Sequence, residues 1–446
     1  MDLGGIAQFG GLLWTLLAFV TALSVIVAIH EYGHYIVGRW CGIKAEVFSI
    51  GFGPVLVSRM DRHGTRWQLA ALPLGGYVKF RGDANAASVG ADGQVAAMTA
   101  AERETTMTGA KLWKRAATVA AGPVFNFILS ILVFAAFVLA SGRAIETPVI
   151  GAVAELPPGV EFLQEGDEVV SIDGTPVGSL TELNTLAGEL TDAETVRYEV
   201  LRDGERLEVD ASAPFLPLAA SVQPRSAAWE VGMRPGDYVL AIDGEPITTF
   251  RDMQDRTAAG DGRPMELRVW RPSEARELTL TVVPRRMDLP LPDGGFETRW
   301  LMGLSGGLVF ESPTEAAGPI EALSYGVSQT LFIVRSSLSA LGHIVSGAIS
   351  TCNLSGPIGI AETSGAAATL GASNFIWFIA VLSTAVGLLN LFPIPVLDGG
   401  HLVFHAYEAV RGRPPSDDAV RVLMTLGVAL MGALMLFALF NDVMCP

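Results

Sequence analysis

Four long apolar segments constrain this chain more than any other feature of its sequence. They lie at residues 12–38, 116–141, 374–395 and 420–441. Each approaches the ~20 apolar residues that are needed to cross a hydrocarbon core of roughly 30 Å. With 50% hydrophobic and only 17% charged residues, the whole chain has the composition of a membrane protein. The sequence therefore predicts a multi-pass α-helical membrane protein with four spans.

The distribution of charge predicts how these spans are oriented. Residues 39–115 carry 11 Lys+Arg against 6 Asp+Glu, whereas residues 142–321 carry 15 Arg, no Lys and 32 Asp+Glu. Basic residues at 111–115 immediately precede the second span, and such clusters stay on the cytoplasmic side. We therefore expect residues 39–115 and 396–419 in the cytoplasm, and residues 142–373 and both termini outside. This asymmetry also argues against nucleic-acid binding.

The first cytoplasmic region has the pattern of β structure. Residues 44–80 are rich in Val, Phe, Ile and Gly, with turns at 51–54 and 73–76, which predicts a β-hairpin. Its low polarity would allow it to enter the membrane beside the first span, where protein or a water-filled cavity must cover such backbone. A small solvated hairpin is the alternative. We interpret the Ala/Gly/Thr-rich residues 83–110 as a flexible linker and assign it no role.

The outer region contains an internal repeat. The sequence GDEVVSIDG at 166–174 recurs 70 residues later as GDYVLAIDG at 236–244. Both copies resemble the core of PDZ domains, which bind extended peptides by strand addition. The sequence thus predicts two extracytoplasmic PDZ-like α+β domains with peptide ligands, and a spacing or shielding role is the alternative. Residues 323–351 are expected to form a membrane-surface helix rather than a fifth span.

The predicted regions follow in order along the chain. They are the first span at 1–38, the cytoplasmic or membrane-re-entrant β region and linker at 39–115, the second span at 116–141, PDZ-like domains at 142–213 and 214–287, an extracytoplasmic connector at 288–373, the third span at 374–395, a cytoplasmic loop at 396–419, and the fourth span with the C-terminus at 420–446. Cys41, Cys352 and Cys445 lie far apart and form no Cys-x-x-Cys pair, so we expect three unpaired thiols.

The first span contains the motif HEYGH. On a helix, His30 and His34 lie on one face about one turn apart, which suits two positions of a tetrahedral zinc site. Glu31 then projects beside them and can take a proton from zinc-bound water as it attacks a peptide carbonyl. Any charge in this span costs ~2.5 kcal/mol or more, so these residues point to a function. A hydrogen-bonded polar cluster between helices is the alternative.

Catalytic zinc needs a third protein ligand and an open position for water. No third His follows the motif as in metzincins, and residue 37 is Val. Glu46 is near in sequence but lies among candidate strand residues. Asp398 is the better candidate, because the topology brings it to the cytoplasmic end of the third span, the same side as the two histidines. A capping Asp in a helix-ending turn is the alternative.

Asn390 lies within the third span, eight residues before Asp398. An amide at this place can bind the scissile carbonyl or stabilise the oxyanion. It can equally hydrogen-bond a neighbouring helix. Both interpretations remain open from the residues alone.

Six segments of the chain resemble motifs of the site-2 protease family, and the resemblance extends over essentially the whole chain. It implies that His30, His34 and Asp398 ligate zinc, that Glu31 is the base and that Asn390 positions the substrate. The matching segments are 30–34 (HEYGH), 48–54 (FSIGFGP), 73–79 (PLGGYVK), 121–123 (AGP), 356–361 (GPIGIA) and 390–400 (NLFPIPVLDGG).

The resemblance also carries expectations about substrates and location. It implies that Gly51, Phe52 and Gly53 belong to a membrane-re-entrant β-loop that presents the substrate strand. It further implies a bacterial inner-membrane protein whose PDZ-like pair filters substrates on the periplasmic side. The implied substrates are single-span proteins of the anti-sigma-factor type, already trimmed by another protease in envelope-stress signalling, and remnant signal peptides.

The sequence as a whole predicts an intramembrane zinc endopeptidase that cleaves transmembrane segments near the cytoplasmic leaflet. A non-catalytic scaffold, with peptide-binding PDZ domains and a zinc site that holds helices together, is the main rival. Structural zinc sites are closed by four protein ligands, and three candidates favour catalysis. A metal transporter would need polar residues in several spans, and the second span contains no charged one. Iron or cobalt are alternatives to zinc.

Overall fold

A computed structural model of the chain describes residues 3–83, 98–190, 195–290 and 296–445. The chain divides into two units, one formed by Met1–Phe137 with Pro319–Pro446 and the other by Val138–Gly318. The helices are α1 (Leu3–Trp40), α2 (Ala100–Arg103), α3 (Leu112–Ser141), α4 (Leu180–Glu189), α5 (Ala227–Glu230), α6 (Phe250–Ala259), α7 (Pro319–Val345), α8 (Pro357–Thr369), α9 (Ala372–Asn390), α10 (Asp398–Arg411) and α11 (Asp417–Met444). The strands are β1 (Ala45–Met60), β2 (Arg66–Phe80), β3 (Arg143–Ala144), β4 (Glu168–Ile172), β5 (Thr175–Pro176), β6 (Thr195–Arg202), β7 (Glu205–Ser212), β8 (Ser221–Val222), β9 (Tyr238–Ile242), β10 (Glu245–Pro246), β11 (Met265–Arg271), β12 (Arg276–Val282), β13 (Arg285–Pro290), β14 (Phe296–Leu301), β15 (Leu304–Ser305) and β16 (Thr314–Glu315).

Four helices among the described residues are long and apolar enough to cross a membrane, which confirms the number of predicted spans. They are Gly11–Trp40, Leu112–Ser141, Ala372–Asn390 and Asp417–Met444. The third ends at Asn390 rather than at the predicted residue 395, because Pro393 and Pro395 cannot continue a helix. The helix expected at 323–351 is α7, and its large apolar side chains are partly exposed, as at Phe332. Its position at a membrane surface stays a prediction.

Polar contacts join α3 to α9 in the first unit. The buried Ser130 hydroxyl donates to the Ala380 carbonyl at 2.7 Å, and the buried Ser383 hydroxyl donates to the Asn126 carbonyl at 3.0 Å. The aromatic rings of Phe134 and Trp377 pack edge to face beside them, with centroids 4.6 Å apart. Side-chain hydroxyls of this kind are effective between apolar helices, where neither helix surface offers water as a competing partner. These contacts fix α3 against α9.

The predicted hairpin is present, and it lies along α1. β1 and β2 are bent strands that pair antiparallel from Phe48↔Val78 to Met60↔Arg66. The Tyr35 hydroxyl donates to Asp61 at the loop between the strands, at 2.9 Å. At the opposite end, the Ser24 hydroxyl donates to the carbonyl of Pro73, at 3.4 Å. The hairpin therefore runs beside α1 for about 16 Å, from near its C-terminal end to its middle.

The loop between β1 and β2 is organised around the Asp61 carboxylate. Burial raises the pKa of Asp61, but hydrogen bonds from the Thr65 and His63 amides, the Trp67 indole and the Tyr35 hydroxyl lower it to about 2. The carboxylate is thus held in its charged form, and it fixes the loop to α1. In the second half of β1, which leads into this loop, several apolar side chains are exposed, namely Phe52, Val55, Leu56, Val57 and Met60.

The segment interpreted as a flexible linker is partly ordered. Residues 84–97 lie outside the described residues. From Thr99 onward the interpretation is wrong, because Thr99 and Glu102 form a capping box at the start of α2. The Lys44 amide donates to the Thr105 carbonyl, and Ala110 is buried in the cluster that surrounds Tyr35. These contacts join the end of the segment to the base of the hairpin.

The expectation of three unpaired thiols is also wrong. Cys352 and Cys445 form a disulfide across 93 residues of sequence, and Cys41 is a buried free thiol. Side-chain contacts bring the two cysteines together, because the Asn441 amide donates to the Thr351 carbonyl at 2.8 Å. The Asp442 carboxylate accepts from the backbone amides of residues 356 and 358. The end of α11 is thereby held against the start of α8.

We expect reduction of this disulfide to destabilise the protein. Protein unfolded in denaturant should show one reactive thiol while the disulfide is intact and three after reduction. Loss of a cross-link that closes a long loop should lower the free energy of unfolding by about 2–4 kcal/mol. Thermal unfolding in detergent with and without dithiothreitol measures the effect. The double variant Cys352→Ser/Cys445→Ser is the control and should not respond to the reductant. Equal thiol counts before and after reduction would contradict the disulfide.

The second unit contains the sequence repeat as two sheets of the same order. The first is β5-β4-β6-β7 with α4, and the second is β10-β9-β11-β12 with α6. In each copy the Asp of the Gly-Asp turn is buried and forms a two-pronged ion pair with an Arg on the third strand in sequence. These pairs are Asp167 with Arg202 and Asp237 with Arg271. The identification of both copies as PDZ-like domains stays a prediction.

The predicted connector at 288–373 does not form one region. Its first part belongs to the second unit, where β13 pairs with β14, β15 with β8 and β16 with β3. The remainder, from Pro319, forms α7 and α8 in the first unit. β15 pairs with β8, which lies about 80 residues earlier in the chain, and β16 pairs with β3, which lies about 170 residues earlier. Composition could not predict this division of the connector, because such pairings join distant parts of the sequence.

Candidate metal centre

Three side chains from two helices converge on one point in the first unit. The Nε2 atoms of His30 and His34 are 3.2 Å apart on α1. The Oδ2 atom of Asp398, the first residue of α10, lies 3.1 Å from Nε2 of His30 and 3.5 Å from Nε2 of His34. Among the described residues, these three form a group of potential metal ligands within 4.8 Å of one another. The structure therefore brings together the three predicted ligands, while their role in binding zinc stays a prediction.

The distances in this cluster fit a tetrahedral zinc ion. Two ligand atoms at about 2.0–2.1 Å from a tetrahedral zinc lie roughly 3.3 Å apart, close to the separations observed here. The Nδ1 atom of His34 is 2.8 Å from the Thr118 carbonyl, and it must carry the proton because a carbonyl only accepts. In the neutral imidazole, Nε2 of His34 then presents its lone pair to the carboxylate of Asp398. A metal ion between these two acceptor atoms would satisfy both of them.

Asp398 owes its position to a tight turn between α9 and α10. It is not a cap, since Leu397 occupies the N-cap position and α10 has no side-chain cap. The glycines that follow allow the turn to close, because a Cβ on Gly399 would collide with the carbonyls of Leu391 and Phe392. The same holds for Gly400 against the carbonyl of residue 394. The capping interpretation of Asp398 is therefore wrong.

Glu31 lies beside the three ligands. Its carboxylate is close enough to His30, His34 and Asp398 to interact with them electrostatically. β2 approaches α1 closely here because residue 76 is glycine. A Cβ added at this position would lie 3.2 Å from Cγ of Glu31. The arrangement leaves Glu31 next to the cluster but outside the group of three potential ligands.

Sequence reasoning did not assign roles to the residues of α3 that line this cluster. Thr118, Gly122 and Asn126 follow one another at intervals of four, so they lie along one face of α3. Thr118 accepts from His34 through its carbonyl, and the Asn126 amide lies 3.2 Å from Nδ1 of His30. A Cβ on Gly122 would lie 2.7 Å from Nε2 of His30 and closer still to that of His34. Buried polar residues in an apolar span were the available signal.

The remaining predicted site residues are placed differently. The Asn390 amide donates to the Val386 carbonyl of its own helix at 3.0 Å, so a role toward the oxyanion requires it to turn away from that partner. Gly51 and Gly53 have positive φ angles of 89° and 86°, where β1 bends. The Phe52 ring between them is partly exposed and stacks on Tyr77. Substrate binding by these residues stays a prediction.

Comparison with known proteins agrees with this geometry. A family profile described as Peptidase family M50 matches residues 18–434. An Agrobacterium fabrum protein whose name includes the words zinc metalloprotease is 38% identical over 441 residues, which cover 98% of this chain and 97% of that protein. The Regulator of sigma-E protease RseP of Salmonella typhimurium is 32% identical over 472 aligned residues, covering 97% of this chain and 98% of that protein.

Proposed function

We propose that this chain cleaves peptide bonds inside the transmembrane segments of single-span proteins. The proposal starts from its family, because the chain belongs to peptidase family M50 and is a zinc metalloprotease of the site-2 type. The observation that carries the proposal is the convergence of His30, His34 and Asp398. Two of these ligands lie within the apolar helix Gly11–Trp40. A hydrolytic site at this depth is suited to substrates that are themselves embedded in the membrane.

In this proposal, His30, His34 and Asp398 hold the zinc ion, and three protein ligands leave a fourth position for water. When bound, zinc supplies Lewis acidity and lowers the pKa of its water to about 7. Glu31 accepts the proton of the attacking water and returns it to the leaving amine. Asn390 positions the scissile carbonyl once its amide has left Val386.

The hairpin supplies a means of exposing the peptide bond. A membrane helix satisfies its own backbone hydrogen bonds, so it must unwind before water can attack it. Strand addition to a sheet edge replaces those hydrogen bonds. The hairpin suits this role because the part of β2 around Pro73 lies beside the middle of α1, where the Ser24 hydroxyl donates to the Pro73 carbonyl. We propose that Gly51, Phe52 and Gly53 form part of the surface that receives the substrate strand.

The disulfide supports an orientation of the protein in the membrane. Disulfides persist in oxidising compartments such as the bacterial periplasm. Cys352 and Cys445 both lie in regions that the charge distribution assigns to the outside. We propose that both termini and the PDZ-like domains are periplasmic in a bacterial inner membrane, with the metal centre toward the cytoplasmic side. The PDZ-like domains would bind extended peptides and restrict which substrates reach the site.

The substrates in this proposal are single-span proteins of the anti-sigma-factor type and remnants of signal peptides. Support comes from the resemblance to the site-2 protease family and from the relative named as a regulator of sigma-E protease. Proteins of both classes contain a single apolar membrane segment, which an intramembrane site can accommodate. Comparing membrane fragments that accumulate in cells with active or inactive enzyme would identify the substrates directly.

Zinc analysis paired with a cleavage assay tests the proposed function. Wild-type protein should contain stoichiometric zinc, and Asp398→Ala should lose both the zinc and cleavage of a single-span substrate, because two histidines cannot complete a catalytic site. Asp417→Ala is the matched control, since this exposed carboxylate begins α11 and should affect neither property. Wild-type protein that holds zinc but cleaves no membrane substrate would instead support the alternative function, a non-catalytic scaffold whose zinc site only holds helices together.

A further inference from the structure

The side chain of Asn126 is the most unusual polar group near the metal centre. Asn126 is fully buried in α3, and its Nδ2 atom lies 3.2 Å from Nδ1 of His30. Its Oδ1 atom is buried with no hydrogen-bond partner among the described residues. A buried acceptor without a partner is unfavourable. Because the amide contacts Nδ1 of His30, the atom that it should present there depends on whether Nδ1 carries a proton.

The position of the proton on His30 follows from its proposed role as a zinc ligand. Its Nε2 atom faces Nε2 of His34 and Oδ2 of Asp398, so in the proposed zinc site Nε2 is the atom that offers its lone pair to the metal. A neutral imidazole with a lone pair on Nε2 carries its proton on Nδ1. That proton points at the Asn126 amide and needs an acceptor. Nδ2 cannot serve, because it is itself a donor.

A half-turn of the amide provides an acceptor for that proton. The two faces of an asparagine amide differ only in the exchange of oxygen and nitrogen, and the hydrogen-bond network decides which atom points where. With Oδ1 toward His30, the Nδ1 proton has an acceptor. His34 shows the same arrangement on the neighbouring turn, where Nδ1 donates to the Thr118 carbonyl. Ligating histidines usually donate their second N–H to such a partner, which fixes the ring.

The backbone at Asn126 is held rigidly enough for this task. Its carbonyl accepts from the Ser130 hydroxyl and from the Ser383 hydroxyl of α9, each at 3.0 Å. Ser130 also donates to the Ala380 carbonyl. These contacts fix the segment of α3 from which the amide reaches His30.

We propose that Asn126 is a positioning residue that accepts the Nδ1 proton of His30 through Oδ1 and so holds the Nε2 lone pair toward the metal. The inference rests on the proposed function, because it concerns the zinc site. The competing explanation is that Asn126 only joins helices through a buried amide, as polar residues in membrane helices often do. The two explanations differ in what they predict for zinc affinity.

Three variants separate these explanations through chelator competition for zinc, with thermal unfolding measured in parallel. Asn126→Leu has a similar volume and no acceptor, and it should bind zinc about 10–100-fold more weakly than wild type. Asn126→Asp keeps an acceptor in the same place and should bind zinc at least as tightly as wild type. Phe134→Leu, which alters a fully buried ring of α3 that packs on Trp377, is the packing control, and it should unfold at a lower temperature with unchanged zinc affinity.

Wild-type zinc affinity in a folded Asn126→Leu protein would overturn the inference. Should Asn126→Leu fail to fold, Asn126→Asp decides alone, since a carboxylate accepts a hydrogen bond but cannot donate one. Zinc binding by Asn126→Asp at wild-type strength supports the acceptor role, and a marked loss overturns it. If wild-type protein binds no zinc, the proposed function itself fails, which is distinct from a failure of this inference alone.

Discussion

Replacing Glu31 with Gln should abolish hydrolysis while leaving zinc in place. Glu31 lies next to His30, His34 and Asp398 but is not part of the group of potential ligands, so an amide of the same size should not disturb the metal. The amide of Gln cannot accept a proton from water. Because general-base catalysis contributes about 10²–10⁴-fold to the rate, hydrolysis should fall by at least that factor. The measurement is cleavage of a purified single-span substrate in detergent, with zinc content determined on the same sample.

Glu46→Gln provides the control for this experiment. Glu46 was the other acidic candidate near the histidine motif, and the structure places it on the base of the hairpin in a partly exposed ion pair with Lys79. Such pairs contribute little to stability, so cleavage and zinc content should both stay at wild-type values. If Glu31→Gln cleaved its substrate as fast as wild type, Glu31 would not be the base. If it lost its zinc, the residue would act on the metal rather than on the water.

Replacing Gly122 with Ala should eliminate zinc binding through a single added carbon. The new Cβ would lie 2.7 Å from Nε2 of His30 and closer to Nε2 of His34, in the space that the metal requires. Alanine is about 1 kcal/mol more favourable than glycine inside a helix, so α3 itself should not be weakened. The expected result is a folded protein without stoichiometric zinc and without activity. Zinc analysis and thermal unfolding of the purified variant measure both properties.

Gly432→Ala is the matched control for Gly122→Ala. Gly432 lies inside α11, and a Cβ there would meet no atom within 4 Å. This variant should keep its zinc and its activity. Normal zinc content in Gly122→Ala, with an unchanged unfolding temperature, would mean that the metal does not occupy the space between α1 and α3.

The parts of this protein that depend on local pattern could be predicted from its amino-acid sequence. Hydropathy over about 20 residues identified the four spans, since that length is set by the thickness of the bilayer. The spacing within HEYGH put both imidazoles on one helix face, because the period of a helix is fixed. Topology added Asp398, since the direction of each span decides which ends share a side of the membrane. The resemblance to the site-2 protease family added the roles of these residues.

Features that arise between residues far apart in the chain could be recognised only in the folded molecule. The pairing of Cys352 with Cys445 depends on contacts between α11 and the start of α8, which spacing cannot reveal. The turn that brings Asp398 into the site depends on how two glycines pack against preceding carbonyls. The partner of His34 is a backbone carbonyl, a group that every residue has and that no sequence motif can mark. The role of Asn126 likewise emerges only where α3 passes the two histidines, because hydrogen bonds are decided by direction and distance in space.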